Sequence, residues 1–256
     1  MSSPVARLEA RLGALHPWHE RLLLTMAVTS LYLCYFPINR LLAGQEANHP
    51  ITWVDTALPL IPSWMFVYFA VFFTGFVPVL VVRSRGLFRR VALAYLIVQL
   101  CAFSVFLLYP VSMQLRAEST EVVDFVTWGL QLGYFWDTAA FCLPSIHVTL
   151  ASLSALCCWQ SSRVWGATGF VLALGVALSA MLVKQHYLAD LIAGFALASL
   201  VGGLVVTRYR EPAGGSGTVP LPTGGPAWLL IPYALAVAAL YRLYLLDWRP
   251  WEGSGG

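Results

Sequence analysis

Apolar residues in this chain gather into long runs separated by short polar stretches. Seven runs approach the roughly 20 residues a helix needs to cross a bilayer, at 22–42, 63–82, 91–109, 143–159, 164–183, 187–206 and 228–246. Each is predicted to span as a helix; the last carries Arg242, which has to snorkel from the helix end. The expected division is a cytoplasmic N-terminal segment (1–20), a membrane core (21–207), a linker (208–226), an extra helix (227–246) and a tail (247–256). The linker contains EPAGGSGTVPLPTGGP, whose glycines and prolines predict a flexible connection. The predicted fold is all-α, a polytopic transmembrane bundle with a peripheral last helix.

Charge orients the bundle. Arg7, Arg11 and Arg21 precede the first run, and Arg83, Arg85, Arg89 and Arg90 separate the second from the third. Arg163 separates the fourth from the fifth, and Arg208 and Arg210 follow the sixth. If every run crosses, these fall on one side, and the positive-inside rule makes that side cytoplasmic. The stretches 44–62, 110–142 and 184–186 then face the other way.

Composition agrees with a membrane class: 59% of residues are hydrophobic and 11% charged, against about 25% charged in soluble domains. A net charge of +3, with no basic tract interleaved with aromatics, excludes a nucleic-acid partner. The five cysteines form no CxxC pair, so a structural zinc site is not expected.

Two histidine segments, LPSIHV at 143–148 and KQHYLAD at 184–190, stand where apolar runs meet polar ones on the expected extracytoplasmic face. Ionisable groups are costly there and mark functional sites. His186 and Asp190 lie four apart, so a helix starting near His186 puts them on one face. A carboxylate behind an imidazole fixes its tautomer and raises its basicity, as a histidine nucleophile requires. Pro144 is expected in the first turn of the next helix, with Ser145 and the free N–H groups of that turn forming an anion site and His147 hanging over it. Arg116 suits capture of phosphate oxygens, and Lys184 is a second cation. Asp137 is a secondary candidate; for Asp55, Asp137 and Glu118 alike, a solvated loop acid is the expected state.

With no acidic metal cluster, the inventory fits a metal-free phosphoester site that takes no cofactor. His186 would attack phosphorus, His147 would protonate the leaving oxygen, and Arg116, Lys184 and Ser145 would hold the remaining oxygens. Two histidines starting in opposite protonation states predict a bell-shaped pH profile. The whole reading requires the two rings to converge around a space the size of one phosphate.

These residues resemble the type-2 phosphatidic acid phosphatase superfamily, which also includes vanadium haloperoxidases. Its motifs are K-x6-RP, PSGH and SR-x5-H-x3-D. The second is matched by Pro144, Ser145, Ile146 and His147, and the third by Ser179, His186 and Asp190. The first survives as Arg116, with Tyr109 in the lysine position and Ala117 in the proline position; Ala180 replaces the arginine of the third. Gln185-His186-Tyr187, and DTALPLIP at 55–62, resemble the branch of fungal inositol phosphorylceramide synthase and its bacterial relatives. The resemblance implies a six-helix core, a phosphohistidine on His186 and an acid role for His147. Because motif cations are missing, it favours moving a singly charged phosphodiester head group from a phospholipid to a lipid alcohol such as ceramide or diacylglycerol. The rival readings are a lipid phosphate phosphatase, paired haem ligation by the histidines, and a membrane protein with a vestigial site. The expected partners are the lipid substrates and the bilayer; oligomeric state is left open.

Overall fold

The first run opens at a proline. Pro17 occupies the first helical turn, where a missing N–H costs nothing, and α1 (Pro17–Leu33) continues past a break at Cys34 as α2 (Tyr35–Leu41). A short α3 (Trp53–Ala57) follows in the loop. The second run is broken into a 3₁₀ turn (Pro62–Trp64), α4 (Met65–Phe69), α5 (Val71–Thr74) and α6 (Val77–Val81). Pro78 has no N–H to give the Thr74 carbonyl. The Ser154 hydroxyl donates to that carbonyl instead, at 2.7 Å. Beyond lie α7 (Arg85–Leu108), α8 (Phe125–Trp136), α9 (Ile146–Trp159), α10 (Arg163–Leu182), α11 (Leu188–Val201) and α12 (Leu230–Leu245).

This computed structural model describes residues 10–41, 43–116 and 121–252. Arg7, Ala117 and Glu118 of the sequence reading lie outside them. Among the described residues there is no β-strand, only isolated bridges between Asn48 and Val111 and between Ser84 and Thr218. The protein is an all-α bundle. Five helices are long and apolar enough to cross a membrane: Pro17–Leu41, Arg85–Leu108, Arg163–Leu182, Leu188–Val206 and Gly225–Leu245. Two expected spans are shorter helices, Pro62–Thr74 and Ile146–Trp159. The first is cut by the Gly75–Pro78 break, and the second starts late because Ser145 caps it. Pro144 therefore stands before the cap and not in the first turn, a correction to the sequence reading. A further correction is α8, which lies inside a stretch read as loop. Asp124 caps it, accepting from Thr127 N at 2.8 Å.

The centre of the bundle is α9, whose buried residues run from Ile146 to Cys158. It packs against α10, α11 and α7. Gly194 lets α11 come close: a Cβ there would lie 2.8 Å from the Ser145 carbonyl oxygen. Gly194→Ala is expected to force the two helices apart at a cost of about 1–3 kcal/mol. A melting temperature in detergent equal to that of the wild type would show that the approach is not tight.

The basic end is welded together. Glu20, 2% exposed, pairs with both Arg85 and Arg89. Arg21, which precedes the first run on the basic side, is buried: it donates to the carbonyls of Val79 and Val82 and lies 4.3 Å from the Phe88 ring centre. The 211–226 stretch, expected to be flexible, is tied to this end, with Val219 N donating to Arg83 O at 2.9 Å and Arg85 N to Gly217 O at 3.0 Å. The last helix, α12, has no buried residue, as suits a peripheral element. It touches the bundle through Tyr233, which donates to Phe66 O at 2.9 Å.

Candidate active site

At the opposite end, loops knit a cap. Asn48 N donates to Pro110 O, Met113 N to Ala139 O and Cys142 N to Val111 O, at 2.9, 2.8 and 3.0 Å. Beneath it, α10 closes with Gln185 N on Ala180 O at 2.8 Å, and Lys184 takes the left-handed conformation that this helix ending demands. The chain then delivers Gln185, His186 and Tyr187 to the start of α11. Asp190 turns back to accept from Tyr187 N at 2.8 Å, satisfying a free donor of that start. Asp55 takes another, accepting from Leu188 N at 2.8 Å. Ser145 N donates to Asp190 O at 3.0 Å, which fastens the start of α9 to the start of α11.

That junction brings the two histidines together. His147 Nδ1 is 3.4 Å from His186 Nε2, and both residues are buried. Behind His186, Asp190 Oδ2 is 3.5 Å from Nδ1. Behind His147, Asp137 Oδ2 is 4.0 Å from Nε2. The Tyr68 hydroxyl sits between them, donating to Asp137 Oδ2 at 2.8 Å and lying 3.1 Å from His147 Nδ1. Tyr35 donates to the other Asp137 oxygen at 2.5 Å. The result is a row: carboxylate, imidazole, imidazole, carboxylate.

The expectation of a solvated Asp137 is thus overturned; two tyrosines hold it, and it is 8% exposed. Asp55 is overturned likewise, being 3% exposed and capping α11. Tyr68 and Tyr35 were not singled out from the sequence. The available signal was a phenol inside an apolar run, which has to find a partner when buried.

The cations are engaged with the cap. Lys184 Nζ donates to Asp55 O and Leu58 O at 2.8 and 2.7 Å. Burial lowers its ammonium below the usual lysine range, while Asp55 pulls the other way. Arg116 donates to Asp137 O at 2.8 Å, to Lys184 O at 3.3 Å and to the Gln185 side-chain oxygen, and covers the Tyr134 ring. Tyr187 holds the segment before it, its hydroxyl accepting from Gln114 N at 2.8 Å and donating to Ser112 O at 3.0 Å. Ser145 is spent as the α9 cap, accepting from Val148 N at 3.4 Å. The Ile146 and His147 N–H groups are the orphan donors of that helix start. Tyr109 ends α7, 49% exposed, outside the buried cluster.

Donor atoms of Cys142, His186 and Asp190 lie within 4.8 Å of one another and are the described group that could hold a metal. Burial, with Asp190 adding to it, raises the Cys142 thiol well above its usual range. That thiol donates to Ala139 O at 3.3 Å. The imidazoles converge at hydrogen-bond distance and not around a phosphate-sized gap. An attacking atom about 3–3.5 Å from phosphorus and an acid about 2.6–3.2 Å from the leaving oxygen need more room than 3.4 Å. The rings must part to admit a phosphate.

A helical membrane protein with a capped, carboxylate-flanked histidine pair is what the fold and site define. A family model described as PAP2 superfamily matches residues 44–204, well over half of the 256-residue chain. The chain belongs to that superfamily, which includes phosphatases and phosphotransferases. Neither the curated proteins nor the solved structures give a match.

Proposed function

We propose that this protein moves a phospho-head-group from a phospholipid to a lipid alcohol such as ceramide or diacylglycerol, in the manner of the inositol phosphorylceramide synthase branch. His186 Nε2 attacks phosphorus and the bond to the departing lipid oxygen breaks; that oxygen takes a proton from His147. The acceptor hydroxyl then gives its proton to His147 and attacks phosphorus, the N–P bond breaks, and His186 is restored. The observation that carries the reading is the row itself: His186 backed by Asp190 at 3.5 Å, with its other nitrogen 3.4 Å from His147.

Charge supports a diester. Asp137 and Asp190 flank the histidines, while Arg116 and Lys184 are committed to protein acceptors. A doubly charged monoester meets more repulsion there than a singly charged diester. The site is read as extracytoplasmic, a reading supported through the positive-inside rule by the arginine-rich connections at the other end of the bundle. Arg116 and Lys184 act as positioning residues for the cap, adding positive charge at its edge.

The test is incubation of purified protein with head-group-labelled phospholipid and a ceramide or diacylglycerol acceptor, beside a phosphate-release assay on phosphatidic acid. Label is expected in the acceptor lipid. Phosphate release far outrunning transfer establishes the hydrolase instead. Asp137→Asn is expected to lower kcat about tenfold with KM little changed, because it disturbs the Tyr68 and Tyr35 hydrogen bonds that hold His147's neighbourhood. Equal kcat in variant and wild type removes Asp137 from the site.

A further inference from the structure

Below the histidines, between α1, the broken second run and α7, lies a cavity of about 260 Å³. Its walls are almost wholly apolar. They extend along α7 from Phe88 to Gln99, about 16 Å at 1.5 Å per residue. Two features connect it to the site. Phe72 in its wall meets the His147 ring edge-on, with centres 6.1 Å apart. Tyr32 in its wall stacks on Tyr35, which holds Asp137.

Among the few polar residues of the lining, Gln99 is informative. Gln99 is 0% exposed, and both its side-chain polar atoms lack a hydrogen-bond partner. An amide buried without partners is costly and uncommon. Leu150, in the same wall, lies three residues, about 4.5 Å, below His147 on α9. Gln99 therefore lines a space that begins about one turn beneath the site, with its amide atoms buried in the wall. In a phospholipid or sphingolipid, the ester, amide or hydroxyl at the head of a chain stands at a similar short remove from phosphorus.

We infer that this cavity holds one hydrocarbon chain of the lipid substrate, and that Gln99 hydrogen-bonds the ester, amide or hydroxyl group at the head of that chain. This rests on the lipid-phosphoester reading of the site. The cavity's length and apolar walls fit a hydrocarbon chain, its lining excludes a charged occupant, and Gln99 offers both a donor and an acceptor.

Gly75 supplies the plug: it lines the cavity, and a Cβ there meets nothing within 4 Å. Gly75→Leu and Gln99→Leu, in purified full-length protein, are compared with wild type on long-chain and four-carbon-chain versions of one phospholipid. Gly75→Leu is expected to lower the long-to-short ratio of kcat/KM at least about tenfold. Gln99→Leu is expected to lower kcat/KM for ester-linked lipid about five- to tenfold more than for its ether-linked analogue. In parallel, a phospholipid with a photoactivatable group in its chain is expected to label α1 and α7 in wild type, and less in Gly75→Leu. Ratios that match wild type, or labelling undiminished by the plug, overturn the inference. Wild-type protein that turns over no lipid but labels α1 and α7 in a plug-sensitive way supports the chain site while sinking the transferase reading.

Discussion

Replacing His186 with alanine is expected to lower head-group transfer by about 10³-fold or more. The geometry leaves little to substitute for it. His186 presents one nitrogen to His147 at 3.4 Å and the other to Asp190 at 3.5 Å, inside a capped site where it is 4% exposed. The other buried nucleophile nearby, Cys142, is kept as a thiol by burial and donates to a carbonyl. Rapid quenching of wild type with labelled substrate should leave label on the protein that survives base and is lost in acid, as a phosphorus–nitrogen bond requires. His186→Asn, which keeps more of the volume, guards against a folding defect. A tenth or more of wild-type transfer in a well-folded variant would end the covalent mechanism.

The second large effect belongs to Asp190. Asp190→Asn is expected to reduce kcat by about 10²–10⁴-fold with KM within about threefold. The carboxylate stands 3.5 Å from His186 Nδ1 without a hydrogen bond at rest; closing that gap would fix the tautomer that leaves the Nε2 lone pair free for phosphorus. An asparagine fills the same space but carries no charge to stabilise an imidazole that must gain a bond to phosphorus. Because Asp190 Oδ2 also accepts from Tyr187 N, the substitution is to be accompanied by a melting curve. A normal melt with a slow burst of protein-bound label marks the chemical role; a normal burst assigns the carboxylate to the helix start alone.

The sequence made the spans and the histidine pair legible for a simple reason. Run length and the 186-to-190 spacing are local, and charge alternation fixes which helix ends share a face. Partners distant in sequence leave no such local trace. Tyr68 and Asp137 meet across 69 positions, and nothing in either neighbourhood announces the other. Lys184 and Arg116 are cations close in sequence to the site segments and so suggest phosphate ligands, yet carbonyls folded over them claim their donors. The α8 helix was missed because its 12 residues fall below a span, although the Asp124–Thr127 cap was there to be read. Pro78 was visible, but its effect on the Thr74 carbonyl depends on Ser154 from another helix.

The left-handed residue at the end of α10 has a mechanical corollary. Through Lys184 on Asp55 O and Leu58 O, Asp55 on Leu188 N, and Ile61 N on Leu182 O at 2.9 Å, the 55–61 stretch is splinted to the backbone on both sides of His186. His147 rides on a different helix. Any shift of this splint would carry His186 with it and leave His147 behind, so movement at the rim and widening of the gap between the imidazoles would be a single displacement.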